Sequence, residues 1–456
     1  MSNHENETKT HWSRRAFIKA GAAGGLLLPA GLSAPAWAAD KHPRLGTYPA
    51  GIKGDSIFVG IGVPLTGPYS SEGNDLVRGY KLAIEQINSG DSRMKSMSPL
   101  TQKGVLGKRI EFDVGDNETR PNTAVQVHTR WIHDKKAVMI TGSVSSAVAI
   151  ACEKLAQREK VIYLVGISGS NDTTGKDCER YGFRSDMFAY NSAKAQAPIL
   201  ANALGKNRKA VYLVPDYTYG HTVYDSMTEF TQEQGWKTVG EQLAPLGTTD
   251  FSSYLLNIAA SGADVMVNVA FGADAVNSIK QAKQFGLLDK MTLVVPYMSP
   301  FLGEEVGAEI MQGVYGCQDF WWTLAEHHPA GEQYRQLARD FVDAFEAKYG
   351  MKPRWSAEVA YLQTALWADA VERAGTFYPP EIIKAYEQEI KRPTMLGETH
   401  FRACDHQAVR PIPVLKGKKP GEMRNEDDFF EIVDVSPAGA IMPSCDHFGC
   451  KLGAYT

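Results

Sequence analysis

The chain lacks several features that would bind it to a membrane or to nucleic acid. No cysteine precedes Cys152, so no lipid-attachment cysteine stands near the N-terminus. Beyond the N-terminal region, no apolar run approaches the about 20 residues that a transmembrane helix needs. Positive charge is not in excess: the net charge is −4, and because residues 1–39 carry +2, the remainder is near −6. We therefore expect no stable membrane anchor and no nucleic-acid partner.

Complete catalytic motifs are also missing. The segment Gly166-x-Ser168-Gly169-Ser170 resembles a nucleophile elbow until its last position, where a glycine is required. Gly60-x-Gly62 is not completed by a third glycine at the dinucleotide-binding spacing, and no phosphate-binding loop occurs. His327 and His328 are adjacent and so do not have the helical spacing of metal ligands. The sequence therefore predicts no enzyme, no metal and no cofactor.

What the chain does have begins with an N-terminal export signal. Ser13-Arg14-Arg15-Ala16-Phe17 is followed by a short Gly/Ala/Leu-rich stretch and by Ala36-Trp37-Ala38. Paired arginines, a weakly apolar run and a small-x-small cleavage site are the three parts of a twin-arginine signal peptide. We expect residues 1–38 to be removed and the protein to reach the periplasm by the twin-arginine pathway.

The six cysteines are Cys152, Cys178, Cys317, Cys404, Cys445 and Cys450. An even number in an oxidising compartment predicts disulfides, although six cysteines allow 15 pairings. We predict the pairs Cys152–Cys178 and Cys445–Cys450. A metal site is the alternative, since His406 and His447 lie close to cysteines, but the spacing matches no standard zinc pattern.

Strand and helix patterns alternate along most of the chain. Strands are predicted at 57–63, 108–114, 137–140 and 161–165, with helices at 75–87, 121–133 and 146–159 between them. The pattern then restarts, with strands at 210–214, 238–243, 265–270 and 291–295 and helices at 220–234, 252–261 and 273–284. Helices at 331–349, 357–374 and 380–388 follow. This order predicts two α/β units with parallel sheets, and a late helical block that returns to the first unit.

The loops after the strands are the candidate binding surface, because ligands of open parallel sheets bind outside the carboxyl ends of the strands. In the first unit these loops carry small hydroxyl residues: Ser143, Ser145, Ser146, Ser168, Gly169 and Ser170. In the second unit they carry Asp216, Tyr219, Phe271 and Tyr297. Serine after a strand can also be an ordinary helix cap, and the tyrosines can be half-buried aromatics without a ligand.

The run from Val63 to Gly73, VPLTGPYSSEG, followed by GYKLAI at 79–84, resembles the opening of branched-chain amino-acid-type periplasmic binding proteins, the solute receptors of ABC importers. The similarity extends over roughly residues 56 to 415. It implies two doubly wound α/β lobes joined by three crossover hinges, with the ligand cleft between them. The crossovers are expected near 184–188, 315–318 and 401–411.

The same resemblance implies the domain limits. Lobe I would comprise residues 56–186 plus 317–400, and lobe II residues 187–316 plus 401–422. Residues 423–456 would form a C-terminal extension that contains the cysteines at its end.

By similarity, Ser145 is expected to bind a ligand carboxylate, Ser168 and Ser170 to hold carboxylate and ammonium, and Tyr219 to close over the ligand. Phe271 stands where leucine receptors have tyrosine, and Tyr297 stands where they have the glutamate that pairs with the ammonium. A buried ammonium without a carboxylate is costly. Either Glu72 or Asp216 replaces that glutamate, or the ligand has no amine.

The resemblance thus implies a periplasmic receptor for a small amino acid, an aromatic or aliphatic carboxylate, or a short amide. An ABC permease and its ATPase would be the partners. Two alternatives remain at this point. A sensory module can use the same fold, and a periplasmic cofactor-containing redox protein would explain export in the folded state.

Overall fold

The computed structural model describes residues 52 and 54–455, so the predicted signal peptide lies outside the described residues. The strands are β1 (Ser56–Val63), β2 (Arg109–Asp116), β3 (Met139–Gly142), β4 (Ile162–Val165), β5 (Gly182–Arg184), β6 (Lys209–Pro215), β7 (Lys237–Ala244), β8 (Val265–Asn268), β9 (Thr292–Tyr297), β10 (Tyr315–Cys317), β11 (Arg392–Thr394), β12 (Gly397–Phe401), β13 (Ala408–Val409), β14 (Ile412–Gly417) and β15 (Phe430–Ser436).

The helices are α1 (Ser70–Ser89), α2 (Pro121–Asp134), α3 (Ser146–Glu159), α4 (Ala189–Leu204), α5 (Thr218–Glu233), α6 (Ser252–Ala260), α7 (Gly272–Gln284), α8 (Pro300–Val306), α9 (Ala308–Met311), α10 (Glu332–Tyr349), α11 (Trp355–Ala374), α12 (Pro379–Tyr386) and α13 (Ala438–Ile441). Helix α1 shows the pattern that forms most of them. Leu76, Tyr80, Ala83 and Ile87 recur at helical spacing and are fully buried, so one face of the helix joins the core.

Two large sheets organise these elements. The first is entirely parallel, in the order β2-β1-β3-β4-β5. The second has the order β15-β14-β10-β9-β8-β6-β7. Strands β6 to β10 run parallel, and β14 pairs antiparallel with both of its neighbours, β10 and β15. A small antiparallel sheet, β11-β12-β13, is formed by residues between β10 and β14 in the chain.

The chain passes between the two large sheets three times. It leaves the first sheet after β5, returns after β10 to form α10 to α12, and reaches the second sheet again at β14. Helix α11 packs on α1, where the Asp75 carboxylate accepts a 2.8 Å hydrogen bond from the backbone N–H of Ala357. The predicted architecture of two α/β halves with three crossovers is therefore confirmed.

The predicted disulfide pairs are wrong. The bonds are Cys178–Cys450 and Cys404–Cys445, while Cys152 and Cys317 are buried and free. Cys152 lies on the inner face of α3, so its thiol is enclosed by the core. Cys404, Cys445 and Cys450, the thiols of the metal alternative, all form disulfides. Among the described residues, no group of three or more His, Cys, Asp or Glu is placed to hold a metal ion.

Candidate functional site

Loops from both sheets meet around one small cavity. Its lining consists of apolar, aromatic and small residues: Val144, Ile167, Ser168, Gly169, Tyr217, Tyr219, Phe271, Tyr297 and Trp355. The first four follow β3 and β4, and the next four follow or end β6, β8 and β9. Only about 10 Å³ is open to the centre of a water molecule, room for about one water. A small organic ligand therefore requires the two sides to separate.

The aromatic side of the cavity is a set of rings packed edge to face. The Tyr219 ring centroid lies 5.3 Å from that of Tyr297 and 6.3 Å from that of Phe271. Phe271 also contacts Trp355, at 6.1 Å between centroids. All four side chains are buried. Such rings present flat apolar surfaces that suit the body of an organic ligand.

Gly169 is the point where the two sides touch. A Cβ placed on this residue would lie 2.8 Å from the Tyr219 ring and 2.9 Å from the Tyr297 ring. The Tyr297 hydroxyl donates a 3.3 Å hydrogen bond to the Gly169 carbonyl. A residue with a Cβ would collide with the tyrosine rings, so only glycine lets both rings contact the loop after β4 this closely.

The serines around Gly169 hold the shape of this loop. The Ser168 backbone N–H donates to the Asp186 carboxylate at 2.6 Å, and its hydroxyl shares a 2.7 Å hydrogen bond with Thr173. The Ser170 N–H donates to the Ser146 hydroxyl at 3.2 Å, and the Ser170 hydroxyl shares a 2.8 Å bond with Thr218. These two hydroxyls thus have protein partners in this closed arrangement.

A buried arginine supports the same loop from behind. The Arg184 guanidinium donates to the Ser168 carbonyl at 2.7 Å and also to the carbonyl of Ser170. Its Nε donates to Gln407, which belongs to the third passage between the sheets. Burial lowers the pKa of Arg184, but a guanidinium stays charged under all ordinary conditions. The loop is therefore fixed to two of the three crossovers by one side chain.

Ser145 occupies a different position. It is the N-cap of α3 and is buried, yet within the described part of the chain its hydroxyl makes no capping hydrogen bond. The first N–H groups of a helix have no partner inside the helix and attract negative charge. The neighbouring Val144 lines the cavity, so the start of α3 borders it.

The two acidic candidates are placed differently. Glu72 is fully buried in α1, where its Oε1 accepts a 3.3 Å hydrogen bond from the Ser299 hydroxyl. Removal from water raises the pKa of Glu72 to about 7. Asp216 is half exposed and lies 3.2 Å from His221, so it belongs to the surface and is not brought together with the rings. Neither carboxylate lines the cavity.

Two aromatic residues that line the cavity, Tyr217 and Trp355, were not among the predicted ones. Tyr217 shares a 2.8 Å hydrogen bond with Tyr69 across the two halves, and Trp355 enters from the start of α11. Tyr217 lies in the loop after β6, two residues before Tyr219. The rule that ligands bind at the loops after the strands could therefore have predicted Tyr217 as well. Nothing local marks Trp355, because only the return of the chain to the first sheet brings it to the cavity.

These features agree with the comparison to known proteins. A sequence profile described as periplasmic binding protein matches residues 56–422. The chain belongs to this family. Leu/Ile/Val-binding protein homolog 7 of Brucella abortus (strain 2308) is 26% identical over 309 residues, which are 65% of this chain and 72% of the relative.

Solved structures of periplasmic binding proteins share the fold. An amino acid ABC transporter substrate-binding protein from Pseudomonas fluorescens Pf-5 is 25% identical, with a TM-score of 0.75, over 87% of this chain and 99% of that one. A solute binding protein of an ABC transporter from R. palustris, in complex with benzoate, is 21% identical, with a TM-score of 0.71, over 87% and 100%. In the part of this chain that the structure describes, no helix has the length and apolar character needed to cross a membrane.

Proposed function

We propose that this periplasmic binding protein captures a small amino acid or organic carboxylate between its two α/β halves and delivers it to an ABC permease driven by ATPase subunits. The observation that carries the proposal is the meeting of the Gly169 loop with Tyr219 and Tyr297. The Gly169 loop on one side and the two tyrosine rings on the other form a clamp that can open and close about the crossovers. No chemical step on the ligand is part of this function.

Both ligand classes have support among the similar structures. The Pseudomonas protein is an amino acid transporter component, and the R. palustris protein holds benzoate. As part of this proposal, the twin-arginine signal at Arg14 and Arg15 would direct export of the receptor to the periplasm.

The test is a thermal-shift screen of the purified protein against the twenty amino acids, aliphatic and aromatic monocarboxylates, and short amides. A ligand that binds only the folded state raises the melting temperature in a concentration-dependent manner. Trp355 lines the cavity, so tryptophan fluorescence should change with the same ligand. If no compound in the screen shifts the melting curve, the receptor function is wrong.

A further inference from the structure

The cavity between the loops contains no ionised side chain. Its lining includes neither Asp nor Glu, and neither Lys nor Arg. An α-amino acid brings an ammonium group, and burying that group without a carboxylate partner is strongly unfavourable. This absence of a counter-charge is the first constraint on the ligand of the proposed receptor.

Three buried acids on the segments around the site, Glu72, Asp186 and Asp274, are engaged elsewhere. Asp186 accepts from the Ser168 N–H behind the loop, and Asp274 accepts from the Gly247 N–H at 2.8 Å. Glu72 bonds Ser299 and keeps one oxygen without a partner, but that carboxyl is enclosed outside the lining of the cavity. None of the three is therefore positioned to neutralise an ammonium inside the cavity.

Hydrogen-bond donors, by contrast, are available there. Helix α3 starts beside Val144, and its first-turn N–H groups offer a seat for an anion. The hydroxyl of Tyr219 is an independent sign, because it is buried in the cavity wall and has no hydrogen-bond partner among the described residues. Burial raises the pKa of Tyr219 well above its usual value, so the hydroxyl keeps its proton and can donate it to a carboxylate.

The remaining wall is aromatic. Tyr217, Phe271, Tyr297 and Trp355 line the cavity together with Tyr219, and the only aliphatic side chains in the lining are those of Val144 and Ile167. Aromatic side chains gain more from edge-to-face or offset contact with another ring than from the buried area alone, and a branched aliphatic chain does not offer this contact. Resting on the proposed receptor function, we infer that the ligand is an aromatic monocarboxylate without an ammonium group, its carboxylate held by the start of α3 and the Tyr219 hydroxyl.

The test is isothermal titration with benzoate, 4-hydroxybenzoate and phenylacetate, compared with L-phenylalanine, benzamide and isovalerate. We expect at least one aromatic acid to bind at least tenfold more tightly than L-phenylalanine, benzamide and isovalerate. If any amino acid binds more tightly than the aromatic acids, the inference is overturned and the receptor function remains intact. Equal binding of benzamide overturns the role of the carboxylate, and equal binding of isovalerate overturns the role of the ring.

Two variants test the assigned donor. Tyr219→Phe should weaken binding of the preferred aromatic acid at least fivefold, because a donor to the carboxylate is lost while the ring remains. Tyr254→Phe removes a hydroxyl from α6, which does not line the cavity, and should leave affinity unchanged. Unchanged affinity in Tyr219→Phe would overturn the role of this hydroxyl. If neither the aromatic acids nor the amino acids bind, the inference and the receptor function fall together.

Discussion

Single residues decide how closely the two sides of the cavity approach. Gly169 has no side chain, so the rings of Tyr219 and Tyr297 rest directly on its backbone. Glu72 and Ser299 form a second contact between the halves, through one hydrogen bond. Both contacts involve buried groups. In a close-packed interior, adding or removing even a methyl-sized group changes stability measurably.

Replacing Gly169 should prevent closure. In Gly169→Ala the new methyl group would lie under 3 Å from both tyrosine rings, so the rings must move away from the loop. We expect the affinity for the ligand found in the screen to fall at least tenfold, or about 1.4 kcal/mol, as measured by titration calorimetry. Gly240→Ala in β7 is the control, since its nearest neighbour is 4.0 Å away. Wild-type affinity in Gly169→Ala would contradict the closed geometry.

Glu72 should make stability depend on pH. Its pKa is raised to about 7 by burial, above the value of about 4.3 for a free glutamate. The folded state therefore binds more protons than the unfolded state between these values, and the free energy of unfolding falls as pH rises through this window. The negative charges of Asp75 and Glu305 also raise the pKa of Glu72.

The variant Glu72→Gln removes this titration, while its amide oxygen can still accept the bond from Ser299. We expect the ligand-free variant to gain stability relative to wild type as pH rises from 5 to 8, by up to about 3 kcal/mol. Guanidinium denaturation at both pH values measures this difference. Asp216→Asn, at the exposed pair with His221, should change stability by less than about 0.5 kcal/mol. The same effect of Glu72→Gln at both pH values would refute the argument.

At the scale of elements, the packing of α1 on α11 holds the late helical block against the first sheet. The Tyr361 hydroxyl donates to Gln86 at 2.6 Å, and the side chain of Gln363 donates to the Tyr80 hydroxyl at 2.5 Å. Gly79 allows the backbones to approach, because a Cβ there would lie 2.2 Å from the Ala357 carbonyl oxygen. This contact returns Trp355 to the cavity.

The variant Gly79→Ala tests how closely α1 and α11 approach, because two opposing effects on the free energy of unfolding compete at this position. In a free helix, alanine stabilises by about 1 kcal/mol relative to glycine, but overpacking of a closed interface costs about 1–3 kcal/mol. We expect the free energy of unfolding to decrease in denaturant titrations. Gly439→Ala in α13, where no atom lies within 4 Å, should be neutral or stabilising. A stabilised Gly79→Ala would show that the helices are farther apart.

The elements differ in how far sequence could predict them. The strands and helices around both sheets follow clear periodicity, and helix 146–159 was predicted with the bounds that α3 has. Helix α4 was not predicted, because Pro198 and its small and polar residues give a weak signal. At the site, loops after strands indicated the serines and Tyr219. The place of Glu72, the exposure of Asp216 and the approach of Trp355 depend on packing between distant segments.

At the scale of the whole molecule, the C-terminal segment connects parts that the crossovers already join. Strand β15 pairs with β14 at the edge of the second sheet. The segment after it is bonded to Cys404, between β12 and β13, and to Cys178, in the loop before β5 of the first sheet. Phe448 packs against Tyr190 at the start of α4, with 5.6 Å between ring centroids. The disulfides were mispredicted because partners 272 residues apart leave no local pattern.

Removing the Cys178–Cys450 bond should lower stability without changing the fold. A disulfide restricts the unfolded chain, and one that closes a long loop contributes typically about 2–4 kcal/mol. We expect Cys178→Ala/Cys450→Ala to lose an amount in this range in denaturant titrations under oxidising conditions. Cys152→Ala is the control, since Cys152 is free. Reductant should destabilise the wild type and the control equally, and the double variant less, because only Cys404–Cys445 remains to be reduced. An equal response of all three proteins would mean that Cys178 and Cys450 are not bonded, and that the C-terminal segment is held to the first sheet by noncovalent contacts alone.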